Sequence, residues 1–541
     1  MARSLLRTHD GVEEFDEHLL HGTFRAIIES HLDSEAPYLR YYEQADLKRD
    51  LTFGAFSRAV RHVAKRLADR YGVAAGSTVP VIGGNRPETL LVYAATLYLD
   101  AAIVPINPAE NAEFIRFVID DVAPTVILHD PGFSLPSEAA SLACEALGPS
   151  LWASDDSRES IEAWAADLPA ADRRGLATII YTSGTTGRSK GVRQTQGNWL
   201  INAEASRRLH AMDDGHVQMC VLPVFHVNGF GYSFIGCLYA GARLVLNRTL
   251  YPLGYWRIVR DEQVTHLSCV PSVLEVLTRS LRRPLKDPPP SVRYATSGAA
   301  PLSQRLVRRF IEQTGYRVVQ VYGMSEATNF DLTQETDLSD ADYDQVMFGR
   351  ERTSAGTPVF GMDLAILRAD GTLAEEGETG EVVMRGWAVA EGYHNFPEGT
   401  AEVFRADWLH SGDLGYYQWL RDRKYFYLVG RLKEMAKRYG ESISLIDIDQ
   451  RLADEPGFED AVAVAFPNDA AGEEIGLYLV PNERTPDDAE AMHRLRAVFP
   501  AHRRPKIIMR GEVVPKTSTG KIKRRSLSGL FDAHRTTVFT E

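Results

Sequence analysis

The sequence predicts an α/β protein: a large N-terminal domain of helix-covered, mainly parallel sheets plus a β-rich subdomain, then a small α+β C-terminal domain on a hinge. Three observations predict it. Short β-branched runs alternate with amphipathic segments through the first half of the chain. Glycine-punctuated, strand-like sequence takes over after about residue 355. A charged stretch, Arg431 to Arg438, then leads into a compact tail. Strand–helix alternation implies parallel strands with helices on both faces, and ligands on such sheets bind at the carboxyl ends of strands.

In order, Val79 to Ile82 reads as a strand and Pro87 to Leu99 as a helix, with Pro87 in the first turn. Ala102 to Val104 is a strand, Ala112 to Asp121 a helix and Val126 to Leu128 a strand. Further strands fall at Thr178 to Ile180, Gln218 to Leu222, Arg243 to Leu246, His266 to Val270, Arg293 to Ala295 and Arg317 to Val321. Helices at Ser272 to Leu281 and Ser303 to Gly315 lie between some of them. The domain boundary is placed at about Gly430, giving 1–430 (with 355–430 β-rich) and 431–541. In the tail, Ile446 to Ala453 and Asp488 to Val498 read as helices, and Ala461 to Ala465 and Gly476 to Val480 as strands.

Sixty Lys+Arg against 73 Asp+Glu give a formal charge of −13, which argues against nucleic acid or an anionic membrane as main partner. The most apolar stretch, Thr89 to Ile106, is broken by Asp100 and Pro105, so a buried helix running into a strand is expected there, not a membrane span. Arg3 and Arg7 are followed by Glu13, Glu14 and Asp16, so no secretory signal is expected. Cys144, Cys220, Cys237 and Cys269 lack CxxC spacing and predict reduced, buried thiols in a cytoplasmic protein.

The strongest chemical signal is Tyr181 to Gly191 (YTSGTTGRSKG), directly after a strand. Thr182, Ser183, Gly184, Thr185, Thr186 and Gly187 combine small residues, whose N–H groups can approach phosphate oxygens, with hydroxyl donors. Lys190 adds a point charge. No Gly-Lys-Ser/Thr closes the segment, so it is not a Walker A loop.

This undecapeptide resembles the phosphate loop of the adenylate-forming superfamily of acyl- and aryl-CoA synthetases, luciferases and stand-alone adenylation enzymes. Ser189 stands where that family usually has proline. The resemblance runs from about Leu51 to Leu527, with further motifs in the family's order. Leu222 to Phe230 (LPVFHVNGF) is similar to the aromatic–histidine segment beside the carboxylate pocket. The resemblance places His226, Val227, Asn228, Gly229, Ser297, Gly298 and Met324 around the acid, and His226 argues for an acid without an α-ammonium group. Ser297 to Leu302 and Gln320 to Glu326 look like the walls of the adenine and acyl sites, which brings in Gly298, Ala299, Ala300, Tyr322, Gly323 and Ser325. Small residues there are expected to let a flat base or acyl chain lie against the backbone. By the same resemblance Glu326 holds Mg²⁺, Asp413 takes both ribose hydroxyls, and Arg431 makes a second ribose or phosphate contact.

Lys433 falls at the family's hinge, and Tyr439, Gly440 and Glu441 at its thiol-transfer loop. The match is looser there, with Leu445 where proline is common and Asp447-Ile-Asp449 where Glu-x-Glu is usual. Pro515 to Ile522 (PKTSTGKI) is similar to the signature that carries the family's catalytic lysine, here Lys521. The resemblance implies ATP-dependent activation of a carboxylic acid as acyl-AMP, followed by transfer to a thiol. Expected ligands are ATP, Mg²⁺, the acid and coenzyme A. Three alternatives stay open: a non-CoA acceptor (a carrier protein or a nitrogen nucleophile), an oxygen-using luciferase-like activity, and a catalytically inactive nucleotide-binding regulatory protein.

Overall fold

The computed structural model describes residues 18–136, 143–153, 156–182, 189–453, 455–458, 460–515 and 522–539. Two large sheets build the N-terminal part. In the nine-stranded sheet, five strands run parallel side by side: Val318–Tyr322, Tyr294–Ser297, His266–Cys269, Val217–Cys220 and Arg243–Asn247. One edge continues through Pro37–Glu43 and the antiparallel Asp46–Thr52; the other turns antiparallel at Leu332–Thr333 and Thr357–Pro358. The seven-stranded sheet has Leu176–Thr182, Ala102–Ile106, Thr78–Ile82, Ile127–His129 and Cys144–Ala146 in parallel. It is extended antiparallel by Lys190–Thr195 and Gly392–Tyr393.

The largest hydrophobic core lies between these sheets. It joins Val79, Val81 and Ile103 of one to Leu244 and Leu246 of the other through the helices Pro87–Tyr98 and Gln196–His210. A helix wedged between two sheets must be apolar on all sides, and in Pro87–Tyr98 only Glu88 escapes burial. The apolar run from Thr89 is thus a buried helix followed by a buried strand, as expected. Among the described residues no helix is long and apolar enough to cross a membrane. Outer helices cover the remaining faces: Ala112–Val122 on the smaller sheet, and Pro252–Asp261, Pro271–Ser280 and Gln304–Thr314 on the larger.

A third, antiparallel sheet holds Met362–Leu367, Gly380–Gly386, Phe404–Arg405, Trp408–Leu420 and Arg423–Arg431 around its own core. The last of these strands ends on Arg431, and a 3₁₀ turn, Leu432–Glu434, leads to the small domain. That domain packs helices Leu445–Ala453 and Asp488–Val498 on a five-stranded sheet. Inside it the Arg438 guanidinium is buried, pairing with buried Glu474 at 3.1 Å and donating to the carbonyls of His502 and Arg504.

One expectation is corrected. All four cysteines are free, and Cys220, Cys237 and Cys269 are buried, but Cys144 is exposed. It lies on Cys144–Ala146, the last strand in its sheet among the described residues.

Candidate active site

Strand pairing brings the ends of the hydroxyl- and glycine-rich segment together: Thr182 pairs with Lys190. Ser183, Gly184, Thr185, Thr186 and Gly187 between them lie outside the described residues. The next strand, Gly392–Tyr393, pairs with Lys190–Thr195. It places the Tyr393 ring 4.7 Å from the Lys190 ammonium, with Phe396 at 5.4 Å, close enough for cation–π attraction. The Tyr393 hydroxyl donates to Glu326 Oε1 at 2.7 Å. Burial first, then Glu326, push the Tyr393 pKa far up, so this group remains a donor. From the other side, Gln194 donates to the Ser325 carbonyl at 2.7 Å, and the Ala390 N–H to the Glu326 carbonyl at 2.9 Å. Glu326 is therefore fixed in both backbone and side chain.

Four residues before Glu326, Tyr322 ends its strand and donates to Asp413 Oδ2 at 2.7 Å. Arg431 reaches Asp413 Oδ1 at 2.8 Å, and their strands pair the two residues directly. The Asp413 carboxylate raises the Arg431 pKa; burial, then Asp413, raises that of Tyr322. A carboxylate gripped by two donors keeps lone pairs on both oxygens for further hydroxyl donors. Beneath the Met324–Glu326 turn lies Asp331, whose carboxyl pKa is raised by burial and, secondarily, by Glu326.

The small residues of this wall act differently from expectation. A Cβ on Gly323 would stand 1.9 Å from the Asn329 carbonyl oxygen, and one on Gly298 2.5 Å from Val321. Their missing side chains make room for the protein itself, not for a ligand. Ala299 and Ala300 are exposed beyond the strand end, Ala299 at φ +67°. Met324 packs against the core of the β-rich sheet. Strand alternation sends Ser297 to the sheet face of Ala295 and Val318, opposite Ser268 and Thr296. Its side chain is therefore not beside Asn228.

His226, Val227 and Asn228 are partly buried, at the entry of a π-helix, Asn228–Ile235. Glycine enables that wide turn. A Cβ on Gly231 would meet Trp199 at 2.1 Å, and one on Gly229 the Pro223 carbonyl at 2.2 Å. π-turns cluster at functional sites. Asn228 Oδ1 accepts from Ser268 Oγ at 3.1 Å. On the other side of Phe225 a cleft of about 340 Å³ opens between Arg86 and Arg248. Buried Asn85 staples its floor, donating to the Leu222 and Asn247 carbonyls at 3.0 Å and accepting from the Val224 N–H at 2.9 Å.

Lys433 is central in the 3₁₀ turn after Arg431. Tyr439 and Gly440 form the two-residue tip of the hairpin Met435–Arg438/Glu441–Ser444, at φ +50° and +85°. Two positive φ values suit the twist of a tight hairpin, and the exposed Tyr439 bears the strain. Of the acidic pair in the departing motif, Asp447 crosses to Arg352 of the large domain while Asp449 pairs with Arg524 inside the small one. Lys521 lies outside the described residues. Sequence reasoning missed Tyr393, Gln194, Asn85 and Arg352, whose partners stand far away in the chain. One available signal was Gly392-Tyr393 with Thr400: the Thr400 hydroxyl takes the Tyr393 N–H at 2.9 Å.

The AMP-binding enzyme family matches residues 28–394. A protein of Humulus lupulus named probable CoA ligase CCL9 is 31% identical over 503 residues (90% of this chain, 93% of the relative). The sulfoacetate–CoA ligase of Cupriavidus necator is 30% identical over 510 residues (91% and 94%). Among solved structures, ATP-bound MatB from Rhodopseudomonas palustris superposes with a TM-score of 0.81 at 24% identity (95% of this chain, all of that one). The o-succinylbenzoate CoA synthetase of Bacillus subtilis with its acyl-adenylate gives the same score (95% and 99%). Those two likenesses bear on the fold, and the fold agrees. With the family matched over most of the large domain and relatives aligned over nine-tenths of its length, the chain belongs to the AMP-binding enzymes.

Proposed function

We infer that the protein is an AMP-forming acid–CoA ligase, which activates a carboxylic acid as acyl-AMP, releases pyrophosphate, and passes the acyl group to the thiol of coenzyme A. The observation that carries this reading is the convergence of Lys190, Glu326 and Asp413 from three distant segments, linked through Tyr393 and Tyr322. The relatives named as CoA ligases support the acceptor.

A carboxylate cannot expel oxide, so it must first become a mixed anhydride. Two anions have to meet, and the protein's part is neutralisation and positioning. In this reading Asp413 receives the ribose hydroxyls, held in place by Tyr322 and Arg431. Lys190 faces the departing pyrophosphate, Ser325 the α-phosphate, and His226 the acid. Lys521 bridges carboxylate and α-phosphate as the P–O bond forms and the pyrophosphate bond breaks.

The donor set suits Mg²⁺. Among the described residues no three His, Cys, Asp or Glu side chains form a cage, and Mg²⁺ is typically bound through one or two carboxylates plus substrate phosphates. Glu326 would hold it by the carboxylate that Tyr393 orients; the ion supplies charge neutralisation for the phosphates. Tyr393→Phe, which keeps the ring under Lys190 but removes the hydroxyl, is expected to raise the half-saturating Mg²⁺ concentration about tenfold, as loss of one hydrogen bond to a charged group would. An unchanged Mg²⁺ titration would remove Tyr393 from the site.

For the second step the small domain turns about Lys433 and brings the Tyr439–Glu441 tip inward. The cleft between Arg86 and Arg248 offers an anionic thiol carrier an approach behind Phe225. The free thiols suit a reducing cytoplasm. The test is product analysis with ATP and a panel of acids, adding either CoA or an acyl-carrier protein. Acyl-CoA should form, and thioester on the carrier alone would reassign the acceptor.

A further inference from the structure

Behind Asn228 the space between sheet and π-helix is filled by a hydrogen-bonded cluster. On the sheet face looking at the π-helix, Ser268 and Thr296 pair in one layer, and His266 and Tyr294 pair two residues earlier in the next. Asn228 stands over the first layer, bonded to Ser268. Tyr232, four residues on in the π-helix, stands over the second. Its hydroxyl lies 2.9 Å from His266 Nε2 and 2.6 Å from His210 Nε2, and His210 Nδ1 lies 2.6 Å from the Tyr294 hydroxyl. The Tyr232 ring packs edge-on against Phe330 at 5.5 Å, and both are buried.

Resting on the acid–CoA ligase reading, we propose that Tyr232 is the floor of the acyl pocket and that the acid is short, with a polar tail. This cluster fills the space behind Asn228, so the tail of the acid has at most one layer of side chains, about 7 Å, before it meets the Tyr232 ring. A longer aliphatic tail would have to push Tyr232 aside, which strips one hydrogen bond from each of His210 and His266 in a dry interior and leaves them only Tyr294 and Thr296. The layer that the acid does meet carries an amide and a hydroxyl, which favours a hydroxyl, carboxylate or sulfonate at its far end.

The test is pyrophosphate release over two series: unbranched acids from acetate to decanoate, and glycolate, malonate, sulfoacetate and 4-hydroxybutyrate. The highest kcat/KM should fall to a polar acid of two to five carbons, with octanoate and decanoate at least 100-fold lower. Octanoate within tenfold of the best acid would overturn the proposal. Tyr232→Ala should raise the octanoate-to-butyrate ratio at least tenfold, and Tyr232→Phe, which keeps the ring but not its bonds to the histidines, should raise it by less than Ala does. An Ala variant that folds and keeps the wild-type ratio would also overturn the proposal; should it not fold, the wild-type series decides. Long acids as best substrates would sink this inference but leave the ligase reading standing, whereas no release with any acid would sink both.

Discussion

Lys521→Ala is expected to lower acid-dependent ATP–pyrophosphate exchange by about 10³-fold, the scale seen when a preorganised charge is removed from a transition state. Thioester formation from a supplied acyl adenylate should fall less than tenfold in the same variant. The asymmetry follows from the two-domain arrangement. In sequence Lys521 falls between described residues of the small domain, which a 3₁₀ turn, Leu432–Glu434, joins to the large one. If that turn swings the domain between steps, Lys521 serves the first and is withdrawn for the second. Lys433→Pro should give the opposite pattern, sparing exchange and impairing transfer, because proline fixes φ in the segment that must move. Equal loss of both half-reactions in Lys521→Ala would exclude the division of labour.

Acidification from pH 7.5 to 5.5 should take a few kcal/mol, in order of magnitude, of stability from the large domain through His210, His216 and His266 alone. All three are buried and meet at His266: His210 stacks on it with ring centroids 4.8 Å apart, and His216 meets it edge-on at 5.5 Å. Burial drives His216 down to about 4 from 6.5, with Arg293 adding to the shift and Asp213 opposing it. Burial, then the neighbouring histidines, holds His210 and His266 well below their ordinary value. With folded pKa values depressed, the unfolded chain takes up protons first as pH falls below 6.5, so the stabilisation is complete above that pH and is lost towards 4. A histidine held neutral through this interval costs the fold on the order of 1 kcal/mol. Asp331, with its pKa raised by burial, works in the opposite direction, so the histidine share is read by difference. His216→Asn should flatten the pH dependence of unfolding by about 1 kcal/mol over this interval. The same slope in variant and wild type would show that His216 is not held neutral.

Much of this architecture was legible in the sequence wherever local signals and tertiary demands agree. The helix Asp488–Val498 carries its own start signal in Asp487, which caps the Glu490 N–H. Parallel strands such as Thr78–Ile82 and Val318–Tyr322 are short β-branched runs buried on both faces, found by their composition and length and not by alternation. The π-helix at Asn228 was not legible, because its wide turn answers to Trp199 filling the space beside Gly231. Nor were the roles of Gly298 and Gly323, since a glycine beside a binding motif looks the same whether it makes room for a ligand or for Val321. In the site, the motifs identified Lys190, Glu326 and Asp413. They could not reveal Tyr393, which joins two of them through a strand added antiparallel from 200 residues away in the chain.

In the proposed reaction ATP is split to AMP and pyrophosphate while acid and CoA are joined. This route is tested most directly by ³¹P NMR of a reaction containing ATP, Mg²⁺, CoA and an accepted acid. AMP and pyrophosphate should appear in equal amounts, each matching the acyl-CoA formed. ADP and inorganic phosphate in their place would contradict it.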